Sequence, residues 1–219
     1  MYGDAGHGGE GCLFPAERAL VRDLSEGRRR EFATTRCCAH RALTRLGISP
    51  EPLLPDVSGA PRWPRAAVGS LTHCPGYRAA VVAPAAAYAA LGIDAEPVAP
   101  LPSVVAARLL TATERESADA LCATLGAAAD RLAFCAKEAS YKAFSPWLGR
   151  RWGIRDFAVR LIANGWFRGT APEGRHGFEG RWAVRSGYFV TVVSLTAADW
   201  SGPLSAGVSP GSGWQQAAT

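Results

Sequence analysis

YAALGIDAEPVAPLP, residues 88–102, opens as an apolar run, ends in two acids and breaks up into prolines. The small, branched and aromatic residues from Tyr88 to Ala95 predict a strand. Pro97, Pro100 and Pro102 predict a linker, because proline cannot continue a ladder. The stretch therefore divides the chain in two. In a strand, residues two apart point to one side, so Asp94 and Glu96 converge if the strand runs that far. Two adjacent carboxylates repel unless a cation or a basic group stands between them. A hard divalent ion such as Mg²⁺ is one answer, since it takes oxygen ligands and shares them with phosphates. A solvated strand end is the plainer one.

Upstream, Pro15 to Leu24 predicts a short helix. Ser25 caps a longer one, Glu26 to Leu46, closed by Gly47. Residues 47–66 carry Pro50, Pro52, Pro55, Pro61 and Pro64 and read as an irregular loop. Strands follow at Ala67–Thr72 and Tyr77–Ala83, turned by Pro75–Gly76, and the strand at 88–95 completes three. Downstream, helices are expected at Ser103–Leu110, at Glu114–Leu121 behind a Thr113 cap, and at Ala127–Phe144, with Pro146 beyond its end. Strands are expected at Phe157–Ile162, Gly165–Gly169, Glu179–Arg185 and Tyr188–Leu195. The fold class is α/β (α+β): an N-terminal half over 13–102 and a C-terminal half over 103–202, each with helices and a small antiparallel sheet. Residues 1–12 and 203–219 are rich in glycine and small residues and are expected to be loose.

Composition bounds the partners. The 219 residues carry a net charge of +5 and 48% hydrophobic residues, so a sizeable core coexists with attraction to an anionic partner. No run of about 18 apolar residues predicts a membrane span, and the N-terminus lacks a secretion pattern. A cytoplasmic location follows as the expectation. With it, Cys12, Cys37, Cys38, Cys74, Cys122 and Cys135, none in a C-x-x-C pair, are expected as free thiols.

Three further stretches carry chemistry. In FCAKEASYKA, residues 134–143, Glu138 and Lys142 are helical neighbours four apart, and Lys137 and Tyr141 are grouped with them. An acid beside two lysines suits a metal–phosphate site, although a surface ion pair has the same spelling. In GSLTHC, residues 69–74, His73 falls at a strand end where a ring N–H reaches a phosphate, or merely a backbone group. In EGRRREFATTR, residues 26–36, Arg28, Phe32 and Arg36 follow at steps of four, so the two arginines fork onto a phosphate or lie solvated.

The order of these pieces resembles the 4′-phosphopantetheinyl transferases of the surfactin and enterobactin type. The likeness runs over about residues 20–200 and rests on GIDAE followed by FCAKEASYK. It implies two pseudo-twofold α/β halves with the site in the cleft between them. It implies transfer of phosphopantetheine from coenzyme A to a serine of an apo acyl or peptidyl carrier protein, with release of 3′,5′-ADP. The carriers expected are those of polyketide, nonribosomal peptide or siderophore synthesis. By position, Asp94, Glu96 and Glu138 match the acids that hold Mg²⁺, with Mn²⁺ as a substitute. Arg28, Arg36, Thr72, His73, Asp94, Lys137 and Lys142 match contacts to coenzyme A. Glu138 is the first choice as base, Glu96 the second, and Lys142 stabilises the transferring phosphate. Phe134 stands where many members have tryptophan. Ala60, in SGAPRWP, stands where the family carries a basic residue, so Arg62 or Arg65 would have to replace it. The chain is expected to act as a monomer, with no nucleic-acid or membrane partner. The competing reading is a basic nucleic-acid-binding protein without catalysis. It explains the +5 charge but not acids set beside the basic groups, and no nucleic-acid-binding motif or Walker A loop is present.

Overall fold

The computed structural model describes residues 2–3, 10–56, 59–148, 152–174 and 176–198. Strand β1 (Tyr2–Gly3) precedes helix α1 (Pro15–Val21), which takes proline in its first turn, where a missing N–H leaves no bond unmade. Helix α2 (Glu26–Arg45) ends where Gly47 adopts φ 72°, the left-handed stop that only glycine adopts freely. Strands β2 (Ala67–Cys74) and β3 (Tyr77–Pro84) form a hairpin around Pro75–Gly76, and β4 (Tyr88–Pro97) follows. Then come α3 (Ser103–Leu109), α4 (Ala112–Asp119), α5 (Cys122–Leu125) and α6 (Ala129–Leu148). Strands β5 (Ala158–Ile162), β6 (Trp166–Thr170), β7 (Gly177–Arg185) and β8 (Tyr188–Thr196) complete the order.

Two antiparallel sheets result, ordered β1-β3-β2 and β4-β8-β7-β6-β5. The strand at 88–97 was expected in the sheet of the N-terminal half. It pairs instead with β8, Asp94 opposite Thr191. The reason is burial on both faces. Ala90 faces the core under α6, while Ile93 and Ala95 pack with Ala79 of β3 and Val190 of β8. The free edge of β4 meets β2 through side chains. Ser70 Oγ accepts from the Ile93 N–H at 3.1 Å, and Thr72 Oγ1 accepts from the Ala95 N–H at 3.1 Å. Hydroxyls thus satisfy edge amides that would otherwise be buried unpaired, and they seam the two sheets together.

Helix α6 lies across the five-stranded sheet on an alanine face. Ala133, Ala136, Ala139 and Ala143 are all fully buried, and small side chains let helix and strand backbones approach closely. Gly92 is the point of contact: a Cβ there would stand 1.9 Å from the Ala139 carbonyl oxygen and 2.7 Å from the Ala143 nitrogen. Beyond it, Phe144, Phe157 and Phe178 close the core, with Phe144 and Phe178 ring centroids 5.0 Å apart.

Several sequence expectations change. Helix α4 begins two residues early, capped by Thr111 rather than Thr113. Thr111 Oγ1 accepts from the Glu114 N–H, and Glu114 reaches back to the Thr111 N–H at 2.7 Å. Pro146 lies inside the last turn of α6. The first dozen residues are not uniformly loose: Tyr2 and Gly3 pair with Ala80 and Ala79, and Glu10–Cys12 form a 3-10 turn. That turn brings Cys12 to α2, where it forms a disulfide with Cys37 at a Cα separation of 5.8 Å. The expectation of six free thiols is thus corrected, since the contact spans 25 residues and leaves no local pattern. Residues 203–219 lie outside the described residues. No helix among the described residues is long and apolar enough to cross a membrane.

Candidate active site

Asp94 emerges from β4 two residues after the Gly92 contact and is 5% exposed. Its Oδ1 accepts from Thr72 Oγ1 at 3.0 Å and from Lys142 Nζ at 2.6 Å. Its Oδ2 is buried and has no hydrogen-bond partner among the described residues. Two bonds on one oxygen and none on the second leave Asp94 with a strong acceptor still to be satisfied. Behind Asp94, its cross-strand partner Thr191 donates to the Cys135 carbonyl at 2.9 Å, tying β8 to α6.

Glu138 sits one turn before Lys142 and is half-buried. No hydrogen bond or ion pair engages it among the described residues. Its pKa is raised, first by desolvation, next by the charge of Asp94 and less by Glu96, with Lys142 acting against them. Glu96 is raised for the same leading reason. The hydrogen bond from Arg131 opposes that, Asp94 adds to it, and the charges of Arg131 and Lys142 lower it. Glu96 Oε2 accepts from Arg131 Nη1 at 2.8 Å. Asp94, Glu96 and Glu138 therefore feel one another across the β4–α6 contact, which is why a cation would be welcome there. Among the described residues no three His, Cys, Asp or Glu side chains are close enough to hold a metal as placed. Two of the three acids are turned onto Lys142 and Arg131.

The other expected residues separate into two groups. Thr72 and His73 reach the site. Thr72 is buried, and its hydroxyl is committed, donating to Asp94 and accepting from Ala95. His73 is exposed at the end of β2. Its pKa is lowered, chiefly because the part of the ring lying against protein loses solvation. Lys142, Arg28 and Arg78 push the same way, and Glu31 opposes them. Arg28 is exposed and pairs with Glu31 at 3.1 Å.

Lys137 and Arg36 are not presented to ligand as expected. Lys137 is fully buried and donates to both oxygens of Glu114, at 2.8 and 2.9 Å. Consecutive helical residues point about 100° apart, so Lys137 cannot share the face of Glu138 and Lys142. Glu114 also accepts from the Val159 N–H at 3.0 Å, so this pair binds α4, β5 and α6 into one body. Arg36 is 8% exposed and donates from Nε to the Leu53 carbonyl at 3.2 Å. It stacks over Phe32 at 4.5 Å, and Glu17 lies 3.9 Å away. Glu17 in turn accepts from His40 and from the Leu53 N–H. Arg131, Glu114 and Cys135 carry no motif, and their parts depend on partners 23 to 56 residues distant.

Beside Lys142 opens a cavity of about 440 Å³, walled by Trp63, Leu71, Leu91, Tyr141 and Trp147. Ala60 lies on its rim, while Arg62 and Arg65 are exposed elsewhere on the loop. A largely apolar slot with the Lys142 ammonium in its lining, and the Asp56 carboxylate also in it, suits an extended, weakly polar chain with its phosphate at the Lys142 end. Trp147 on this wall is 37% exposed, and residues 149–151 beyond it lie outside the described residues.

Comparison with known proteins adds the lineage of this arrangement. Residues 16–83 match the family model described as 4′-phosphopantetheinyl transferase N-terminal domain, and residues 90–194 match the 4′-phosphopantetheinyl transferase superfamily. The 4′-phosphopantetheinyl transferase Svp of Streptomyces mobaraensis is 44% identical over 199 residues, 84% of this chain and 79% of the relative. The transferase Npt of Nocardia iowensis is 39% identical over 197 residues, 82% and 88% of the two chains. PptT of Mycobacterium tuberculosis is 40% identical over 199 residues, 83% and 85%.

Proposed function

The chain belongs to the 4′-phosphopantetheinyl transferases, and we propose that its transfer chemistry is carried by Asp94, Glu96, Glu138 and Lys142 at the β4–α6 contact. The enzyme moves phosphopantetheine from coenzyme A to carrier proteins. The supporting observation is the buried Oδ2 of Asp94, without a hydrogen bond among the described residues, electrostatically coupled to a Glu138 whose pKa is raised. That donor set is hard, all oxygen, and mutually repelling, so it fits a divalent ion. Asp94 Oδ2, Glu138 and the second oxygen of Glu96 would hold Mg²⁺, or Mn²⁺ in its place. When bound, the ion neutralises diphosphate oxygens of coenzyme A and the charge that grows on them.

The remaining work belongs to side chains. Lys142 lies between Asp94 and the cavity and donates to a phosphate oxygen, stabilising charge in the transition state. The cavity takes the pantetheine arm and so fixes the phosphoryl group in line for attack. His73 and Arg28 face the nucleotide end, with Arg36 buttressing α2 from inside. The carrier serine oxygen attacks the phosphorus, the bond to the leaving phosphate breaks, and 3′,5′-ADP departs. Glu138 accepts the serine proton, directly or through a water. Glu96 is second choice, since Arg131 already occupies one of its oxygens. The substrates are acidic carriers of polyketide, nonribosomal peptide or siderophore synthesis, met by a monomer whose net charge of +5 steers the encounter.

The experiment is incubation with apo carrier protein, coenzyme A and Mg²⁺, read by mass spectrometry of the carrier. Wild type adds phosphopantetheine. Asp94→Asn and Glu138→Gln, folded by circular dichroism, add none in the same time. Wild-type rates in either variant at saturating Mg²⁺ overturn the site.

A further inference from the structure

We propose that Arg131 is a positioning residue for the transfer reaction, holding Glu96 at a fixed angle to Asp94 through its direct bond to the Glu96 carboxylate from the start of α6. The inference rests on the reading of Glu96 as a metal ligand. Arg131 projects from the first turn of α6 and uses all three sides of its guanidinium. Nη1 donates to Glu96 Oε2, Nε to the Ala99 carbonyl and Nη2 to the Pro100 carbonyl, each at 2.8 Å. Its side chain is 18% exposed and that of Glu96 20%. The preceding residue adds a fourth tie, Asp130 Oδ1 accepting from the Leu101 N–H at 3.2 Å.

The chemistry of the segment explains the need. Pro97, Pro100 and Pro102 lack N–H groups, so the chain after β4 cannot hold itself by a ladder. Glu96 is the last acid before that break, and a glutamate side chain there would otherwise swing through several rotamers. A planar fork with donors on three sides suits the task, and a lysine ammonium has no equivalent geometry. With Oε2 fixed by Arg131, Oε1 remains as a single directed donor. Groups that orient a ligand without touching the metal change metal affinity by about 10- to 100-fold when removed.

The test measures Mn²⁺ binding by electron paramagnetic resonance, with coenzyme A present and no carrier, so that no turnover enters. Arg131→Met and Arg131→Lys are each expected to weaken Mn²⁺ binding by about 10-fold or more. Asp130→Ala removes the acceptor of the Leu101 N–H and loosens the same segment but spares the Arg131–Glu96 bond, and it should bind Mn²⁺ like wild type. Glu96→Gln should weaken binding, and adding Arg131→Met to it should cost nothing further. Wild-type Mn²⁺ affinity in Arg131→Met, alongside a weakened Glu96→Gln, overturns the role of Arg131 and leaves the metal reading intact. Equal losses in Asp130→Ala and Arg131→Met also overturn it, because the segment and not Glu96 is then what matters. Unchanged binding in Glu96→Gln overturns the metal reading itself. Should Arg131→Met fail to fold, Arg131→Lys, which keeps the charge, carries the same comparison.

Discussion

Replacing Gly92 by alanine adds one methyl group where β4 crosses α6. That carbon would lie 1.9 Å from the Ala139 carbonyl oxygen, 2.7 Å from the Ala143 nitrogen and 2.9 Å from the Ala139 carbonyl carbon. All three are backbone atoms, so no side chain can swing aside. Reaching even 3.0 Å from the oxygen requires α6 to retreat from β4 by about 1.1 Å, the difference between 3.0 and 1.9. Helix α6 carries Glu138 and Lys142, and β4 carries Asp94 and Glu96. The retreat therefore pulls the two pairs apart. If it ran along the Lys142–Asp94 bond, 2.6 Å long at present, that bond would reach about 3.7 Å and cease to be a hydrogen bond. Overpacking of this kind costs about 1–3 kcal/mol, less than the about 5–15 kcal/mol stability of an ordinary domain. The variant should thus remain folded while transfer slows by about 10²-fold, a loss that a 1 Å misplacement can produce. The assay is phosphopantetheine transfer to an apo carrier beside thermal unfolding by circular dichroism. A melting temperature lowered by several degrees with kcat/KM unchanged would show that the crossing does not set the alignment. An unchanged melting temperature would refute the packing argument outright.

Three other outcomes follow from the same geometry. Lys137→Met strands Glu114 in the core and should cost about 3–5 kcal/mol in denaturant unfolding, partly recovered by adding Glu114→Gln; unchanged stability with a raised KM for coenzyme A would instead make Lys137 a diphosphate contact. The lowered pKa of His73 keeps its ring neutral at pH 7, and the unfolded chain then binds the proton more readily than the folded one. Its contribution to stability is therefore complete above pH 6.5 and lost as pH falls below that value. An NMR titration midpoint at or above 6.5 contradicts this, and His73→Gln should make the melting temperature less sensitive to acid. The Cys12–Cys37 bridge closes a loop of 25 residues, worth about 3 kcal/mol on chain entropy. A thiol reductant should lower the melting temperature of wild type but not of Cys12→Ser/Cys37→Ser, whereas six titratable thiols in the native protein would dismiss the bridge.

What could be read from the sequence divides by distance along the chain. The hairpin at 67–84 and the helix at 26–45 were legible because their signals are local: Pro75–Gly76 in the first, Ser25 and Gly47 in the second. Each half of the site was legible for the same reason. Asp94 and Glu96 share a strand side by their period of two, and Glu138 and Lys142 share a helix face by their step of four. Where those rules were applied loosely they misled. Lys137 turns a quarter-circle from Glu138, and Arg36, eight residues after Arg28, is rotated by about 80° from it. Those angles suffice to carry Lys137 to Glu114 and Arg36 to Leu53, away from any ligand-facing side. The pairing of β4 with β8 was beyond reach, because it joins residues about a hundred positions apart and its own strand is apolar on both faces. The meeting of the two acid-bearing elements was still recorded, though not in the acids. It lies in Gly92 facing Ala139 and Ala143, three small residues whose absence of bulk brings strand and helix within reach. The charged residues name the chemistry, and the glycine and alanines set the distance over which it can act.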